Sequence, residues 1–226
     1  MGAPSELVGD QLEAALEASG QTRRRYDRIA PIYDAVEWAM ERRVRHWREN
    51  LWARLPAGLT LEAGVGTGRN LPYYPAGRDV VGLDISPRML ERARRKPGRS
   101  GSRVVLELGD VQRLPHADGT FDAAVATFLF CSVPDPELGL RELRRVLKPG
   151  GRLLLLEHVL SERHFVRPLM RALDPIPFHL WGAHIDRETV ARVRAAGFVD
   201  LDVHDLFLDV VKRIEARNTP EGSHAG

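Results

Sequence analysis

Between Pro31 and about Leu55 the apolar residues Ile32, Val36, Met40, Val44, Trp47, Leu51 and Leu55 recur every three or four positions, the periodicity of one helix face. Pro56 and Gly58 end that helix. Beyond it, short apolar runs alternate with amphipathic stretches. Thr60 to Ala63, Asp79 to Asp84, Val104 to Leu108, Phe121 to Phe130 and Arg152 to Glu157 read as strands. Leu71 to Tyr74, Pro87 to Lys96 behind the N-cap Ser86, Pro136 to Leu147 and His184 to Ala196 read as helices. Lys148-Pro149-Gly150-Gly151 is a turn from helix to strand, and Phe198 to Val203 with Val210 to Ala216 closes the series as a terminal hairpin. This alternation predicts an α/β fold, a mostly parallel sheet with helices on both faces.

A chain of 226 residues, 43% hydrophobic, can bury one substantial core, so a single domain is expected over residues 23–216, with 23–56 as amphipathic helices at its amino end. Residues 1–22 read as a flexible or helical leader carrying Leu7, Leu12 and Leu16, and 217–226 as a frayed tail. The lone Cys131 excludes an internal disulfide and a thiolate zinc cluster, reads as a small core hydrophobe and fits a reducing, cytoplasmic compartment. No signal peptide is evident. The longest strongly apolar run, Leu153 to Leu156, is far below the ~20 residues that cross a bilayer.

A net charge of +2 is too balanced to argue for nucleic acid. Its distribution says more, because Arg23, Arg24, Arg25, Arg28 and the run Arg42, Arg43, Arg45, Arg48 and Arg54 crowd the amino-terminal quarter. Together with Trp38, Trp47 and Trp52 they suit a helix lying on an anionic membrane surface, peripheral on its inner face. A surface helix packed on its own core, with solvated arginines, has the same pattern, and both readings stand.

The sharpest chemical signal is Leu61-Glu62-Ala63-Gly64-Val65-Gly66-Thr67-Gly68, a strand running into alternate glycines, where a ligand can approach the main chain. Alone, such a loop also occurs in dinucleotide oxidoreductases. Asp84, closing the second strand, is placed to accept from both hydroxyls of a ribose, and Asp110 with the Val111 amide is placed to meet an adenine. Each acid alone has an ordinary structural use, Glu62 as a cap, Asp84 at a helix start, Asp110 in a strand-end turn. In this order they line one nucleoside site whose acidity suits a cationic ligand better than a pyrophosphate.

Glu62 to Gly68, Gly82-Leu83-Asp84, Gly109-Asp110, Phe121-Asp122 and Leu147-Lys148-Pro149-Gly150-Gly151 resemble, in order, the motifs of class I methyltransferases. The resemblance implies a Rossmann-like, seven-stranded sheet with an amino-terminal helical lid, and S-adenosylmethionine as donor. It implies Gly64, Gly66 and Gly68 near the donor's amino acid and ribose, Asp84 on the ribose, and Asp110 with Val111 at the adenine. Glu62, Asn70, Ile85, Met89 and Thr127 complete the expected cofactor contacts.

Arg25 to Asp34 (RYDRIAPIYD) resembles the start of the ubiquinone/menaquinone-biosynthesis C-methyltransferases and of bacterial phosphatidylethanolamine N-methyltransferases. Phe128 to Pro134 and Leu156-Glu157-His158-Val159 look more like the phospholipid enzymes and related thiol methyltransferases. The resemblance implies a lipid or hydrophobic acceptor, foremost the amine of phosphatidylethanolamine, with a quinone precursor or a small thiol as runner-up and a non-catalytic S-adenosylmethionine-binding scaffold as the non-enzyme alternative. Methyl transfer to an amine is driven by proximity and orientation, so no metal is required. His158 is the candidate base with Glu157 as its orienting or substrate-contacting neighbour; a structural histidine is the plainer reading. Tyr26 and Tyr33 either line the transfer site or pack the amino-terminal helix. Arg163 and Arg167, with Phe165, Leu169 and Met170, form a second basic amphipathic segment suited to a lipid phosphate or to plain solvation. A nucleic-acid acceptor is disfavoured, since Phe130-Cys131-Ser132-Val133-Pro134 stands where an Asn/Asp-Pro-Pro-aromatic motif would.

Overall fold

Seven strands form one sheet: β1 (Leu59–Ala63), β2 (Asp79–Asp84), β3 (Arg103–Leu108), β4 (Phe121–Thr127), β5 (Leu147–His158), β6 (Phe198–Phe207) and β7 (Val211–Asn218). The computed structural model describes residues 4–174 and 187–219, with backbone alone at 4–12 and 36–41. The strands lie in the order β3-β2-β1-β4-β5-β7-β6, with β7 antiparallel to both neighbours and the remaining pairs parallel. The chain steps outward from β1 through β2 to β3, then crosses back to β4 on the other side of β1. That reversal opens a crevice at the carboxyl ends of β1 and β4, where doubly wound sheets bind ligands.

The central strands are buried on both faces, as their unbroken apolar runs require. Ala124 and Ala126 of β4 and Leu153 and Leu155 of β5 join one core with Leu140, Leu143 and Val146 of α3 (Pro136–Val146). Ala123, Val125, Leu154 and Leu156 point the other way, into a second core with Val44, Leu51, Trp52 and Leu55 of α1 (Pro4–Ala53). Trp52 is fully buried there, so of the two readings of this helix the stretch from Val44 to Leu55 follows the one packed on its own core.

The amino-terminal helix departs furthest from the expected boundaries. Leader and basic helix form one 50-residue helix that runs through Pro31. A proline removes the N–H that would bond the carbonyl four residues earlier. Here that carbonyl belongs to Asp27, and Arg88 Nη1 approaches it at 3.4 Å. The helix is also held along its length: Gln112 Nε2 donates to Ser19 Oγ, Ser86 Oγ to Asp27 Oδ1 at 2.6 Å, and Thr67 Oγ1 to Asp34 Oδ1 at 2.7 Å. Tertiary bonds thus override a local breaker.

Smaller differences have local causes. α2 (Pro87–Arg94) begins as expected, with Ser86 Oγ accepting from Met89 N at 3.1 Å. The short helix expected at Leu71 to Tyr74 is a single 3-10 turn, Leu71–Tyr73. β4 stops at Thr127 because Phe128 takes φ +54°, which no strand accommodates. β7 continues to Asn218, past the expected start of the tail, where Asn218 Nδ2 donates to the carbonyl of Leu147 at 2.8 Å. α4 spans Val166–Leu173 and α5 spans Thr189–Ala195; the start expected for the latter, His184, lies outside the described residues.

Candidate cofactor and acceptor site

The loop after β1 is pinned to β2, with Gly64 N and Val65 N both donating to the carbonyl of Leu83, at 2.8 and 3.0 Å. Gly64 has φ +72°, and a Cβ there would stand 2.7 Å from Leu129 Cδ1. Gly66 has φ +55°, and a Cβ there would meet nothing within 4 Å, since Gly66 faces a cavity. Gly68 was expected at the same ligand; instead it packs against Leu71 and Ala93, off the cavity.

The cavity wall follows the carboxyl ends of the strands: Gly64 and Gly66 after β1, Asp84 and Ile85 after β2, Asp110 and Val111 after β3, Thr127 and Phe128 after β4, with Met89 from α2. Asp84 is buried; its Oδ2 accepts from Gly66 N at 2.8 Å and its Oδ1 from Ser86 N at 2.9 Å. Burial pushes its carboxyl up to about 6 against those bonds. Asp110 Oδ1 accepts from Gln112 N at 2.9 Å. Carboxylates spaced along one wall beside glycine backbone accommodate a nucleoside with a cationic substituent, so the residues fit S-adenosylmethionine.

Glu62 and Asn70 do not line this cavity and lie beneath it. Tyr74 Oη and Asn70 Nδ2 both donate to the fully buried Glu62 carboxylate, and burial pushes its carboxyl up to about 7. Arg48 Nη1 of α1 donates to Asn70 Oδ1 at 3.0 Å and to Thr127 Oγ1 at 2.8 Å, closing a network under the cavity floor. Glu62 and Asn70, expected at the ligand, bind each other, and Asn70 also meets Thr127 Oγ1 at 3.0 Å, so their visible role is support of Thr127. Arg48 was grouped with the solvated arginines, yet it is 5% exposed. Its spacing from Val44, Leu51, Trp52 and Leu55 puts it on the core face, a signal available in the sequence.

From α1, Ser19, Thr22, Tyr26 and Tyr33 line the cavity from one helix face. Tyr26 Oη and Ser132 Oγ share a hydrogen bond of 2.6 Å, and the two tyrosine rings are 6.3 Å apart. His158, the candidate base, does not line the cavity; its ring stacks 4.6 Å from that of Phe128, which does. Burial holds His158 below its usual range, so it stays neutral. Glu157 is buried, its Oε1 accepting from Leu129 N at 2.9 Å and Phe130 N at 3.2 Å, which holds the loop after β4 and corrects its expected contact with substrate. Burial pushes its carboxyl up to about 8. Arg163 pairs with Asp209 at 3.8 Å, and Arg167 pairs with Glu188, both away from the cavity. Cys131 is buried, as expected of a core hydrophobe, and burial pushes its thiol up to about 12.

Glu157→Ala should lower the unfolding free energy by about 2–4 kcal/mol, because the amides of Leu129 and Phe130 lose their acceptor, whereas Glu157→Gln keeps a carbonyl there and should lose less. Urea denaturation compares them; equal losses would remove Glu157 from the loop's support.

A family profile described as methyltransferase domain matches residues 61–155. The chain is 40% identical over 118 residues to a phosphatidylethanolamine N-methyltransferase of Cereibacter sphaeroides, covering 51% of this chain and 58% of that one. It is 34% identical over 154 residues to a ubiquinone/menaquinone biosynthesis C-methyltransferase of Geobacter sp. (strain M21), covering 64% and 66%. The chain thus spans less than two thirds of the length of these curated relatives. A solved S-adenosylmethionine-dependent methyltransferase of Thermotoga maritima, described as a possible histamine N-methyltransferase, shares the fold with a TM-score of 0.67 at 24% identity, covering 87% of this chain and 99% of that one. Sheet order and these likenesses agree: residues 61–155 carry a methyltransferase domain, in a chain with the fold of the S-adenosylmethionine-dependent methyltransferases.

Proposed function

We propose that the chain transfers methyl groups from S-adenosylmethionine to the amino head group of a membrane phospholipid, working on the inner membrane surface. The observation that carries the lipid-borne acceptor is the outer face of α4. Phe165 just before it, Leu169 and Leu173 fall four residues apart on one stripe and are 92%, 57% and 44% exposed. On the same segment Arg167 and Arg171 pair with Glu188. Leu208, in the turn between β6 and β7, is exposed beside it, joined through Asp209, which accepts from Ser161 Oγ at 2.7 Å and Glu162 N at 2.9 Å. Apolar side chains presented together at the end of the sheet that carries the cavity suit contact with lipid. Among the described residues no helix is long and apolar enough to cross a membrane, so contact would be peripheral.

S-adenosylmethionine, when bound, supplies a methyl group on a sulfonium, open to attack by an amine nitrogen. The protein's share is orientation and exclusion of water. In this reading α1 acts as the lid, with Tyr26 and Tyr33 facing the acceptor and the bonds to Ser132, Ser86 and Thr67 holding it shut. The amine's proton passes to water, since His158 stands behind Phe128. The amine, rather than a quinone carbon or a thiol, is favoured by the 40% identical relative. Labelled S-adenosylmethionine with liposomes containing phosphatidylethanolamine tests it, beside quinone-precursor and alkyl-thiol controls. Label is expected in methylated phospholipid; cofactor binding with label only in a control, or nowhere, would overturn the reading.

A further inference from the structure

Asp84 and Asp110, carboxylates on the cavity wall, are held in the same way. In each loop the backbone N–H two residues further on donates to the aspartate at 2.9 Å, Ser86 N to Asp84 Oδ1 and Gln112 N to Asp110 Oδ1. In each, the side chain of that second residue then donates to α1, Ser86 Oγ to Asp27 Oδ1 at 2.6 Å and Gln112 Nε2 to Ser19 Oγ. Ser86 also caps α2, so part of its role is local. Gln112 lies in the loop between β3 and β4, where no helix follows, yet it is 1% exposed. We infer that Gln112 is a positioning residue for S-adenosylmethionine, fixing the Asp110 carboxylate and α1 against the cavity at once, an inference that rests on reading the cavity as the cofactor site.

Every polar atom of the Gln112 side chain is engaged. Asp135 N donates to its Oε1 at 2.8 Å, and because a backbone N–H can only donate, this bond fixes which way the amide points. Nε2 is thereby turned to Ser19 Oγ and to Asp110, whose Oδ2 and Oδ1 lie at 3.3 and 3.4 Å. One side chain thus joins three segments of the cavity wall: Asp110 and Val111 after β3, Ser19 and Thr22 of α1, and Val133 and Pro134 just before Asp135. An amide supplies the acceptor and both donors that these partners need, whereas an ionised glutamate of the same length supplies acceptors alone.

Orientation of Asp110 and seating of α1 therefore share one set of bonds. A carboxylate already held in place loses less conformational freedom when a ligand engages it, and a helix already seated on the cavity does the same. Without the Gln112 side chain, the Asp110 carboxylate keeps, among the described residues, the bond from the backbone N–H of position 112, and α1 loses its tie to this loop. Ser86 and Thr67 still hold α1 at Asp27 and Asp34, so the helix should stay docked there and the loss should appear in cofactor affinity.

Calorimetric titration of S-adenosylmethionine into the full chain tests this, with melting curves of each variant as a check on folding. Gln112→Ala is expected to weaken binding about tenfold, the loss that corresponds to one net hydrogen bond. Gln112→Glu supplies the readout that a merely structural role would not move. It keeps the length and an acceptor for Asp135 N, but at pH 8 its ionised carboxylate faces Asp110 with no proton to donate. At pH 5.5 a proton shared by the two neighbouring carboxylates restores a donor. The charged residues bonded to position 112 are Asp110 and Asp135, while α1 contributes the uncharged Ser19. Taking the ratio of wild-type to variant affinity removes the titration of groups common to both, Asp84 among them. That ratio should be about tenfold at pH 8 and fall to about threefold or less at pH 5.5. If the alanine variant does not fold, the glutamate ratio decides alone. A folded alanine variant that binds like the wild type, or a glutamate ratio that does not change with pH, overturns the role of Gln112 and leaves the cavity as the cofactor site. Absence of binding by the wild type overturns both.

Discussion

Arg48→Leu should lower the unfolding free energy by about 3 kcal/mol, with a larger loss at pH 8 than at pH 5.5. Arg48 is buried, and its Nη1 binds Asn70 and Thr127, whose partners lead on to Glu62. Leucine matches the apolar stem but leaves Asn70 Oδ1 without its donor and removes the cation nearest the Glu62 carboxylate. The sign with pH follows from Glu62, whose folded-state pKa is raised from 4.5 to about 7, by burial first and against the pull of Arg48. A raised acid contributes stability fully present below pH 4.5 and lost as pH rises through 7. Without Arg48 the folded-state value climbs further, so the loss extends to higher pH. Thermal unfolding of both proteins across pH 5–8.5 measures it. A constant difference between them would show that Arg48 and Glu62 are not coupled.

Asp84→Asn should leave the protein as stable as the wild type at pH 7.5, or more so, while weakening S-adenosylmethionine about a hundredfold. Burial raises the Asp84 carboxyl from 3.8 to about 6, so this group too contributes stability present below 3.8 and lost as pH rises through 6. Keeping the carboxylate ionised at neutral pH costs about 3 kcal/mol, a figure already net of the bonds from Gly66 N and Ser86 N. An amide is spared that cost but sets its Nδ2 against one of the two backbone N–H groups, which offsets part of the gain. As a ligand group it offers one acceptor instead of two and no charge, and losing two charge-assisted hydrogen bonds at about 1.5 kcal/mol each corresponds to the hundredfold. Calorimetric titration with S-adenosylmethionine, beside melting curves without it, separates the two effects. Wild-type affinity in a stable Asn variant would remove Asp84 from the binding site. A buried carboxylate that burdens the fold is what a ligand contact would require.

The same contrast explains how much of the site was legible beforehand. The strand-to-glycine transition at Ala63–Gly64, the acid closing β2 and the acid after β3 are short-range patterns, and the three segments end at one crevice because the sheet order brings the carboxyl ends of their strands together. Ser86 as a helix cap was equally local. Which way Glu62 points was not: it sits beside the glycine loop in sequence, yet its strand turns it to Tyr74 and Asn70 under the floor. Glu157 and His158 were paired as neighbours in sequence, but a strand sends neighbours to opposite faces, one to the amides of Leu129 and Phe130 and the other onto the ring of Phe128.

By itself, then, the sequence determined the alternation of strands and helices, the family resemblance and most of the residues that line the cavity at the carboxyl ends of β1 to β4, because those rest on periodicity and on contacts among segments whose order is set by connection rules. Only the tertiary structure decided that α1 passes through Pro31, that Arg48 is a buried strut, and that Arg69, Arg92 and Lys96 share Asp34. Each of these depends on partners twenty or more residues away, whose bonds and burial outweigh local propensity and which no local period encodes.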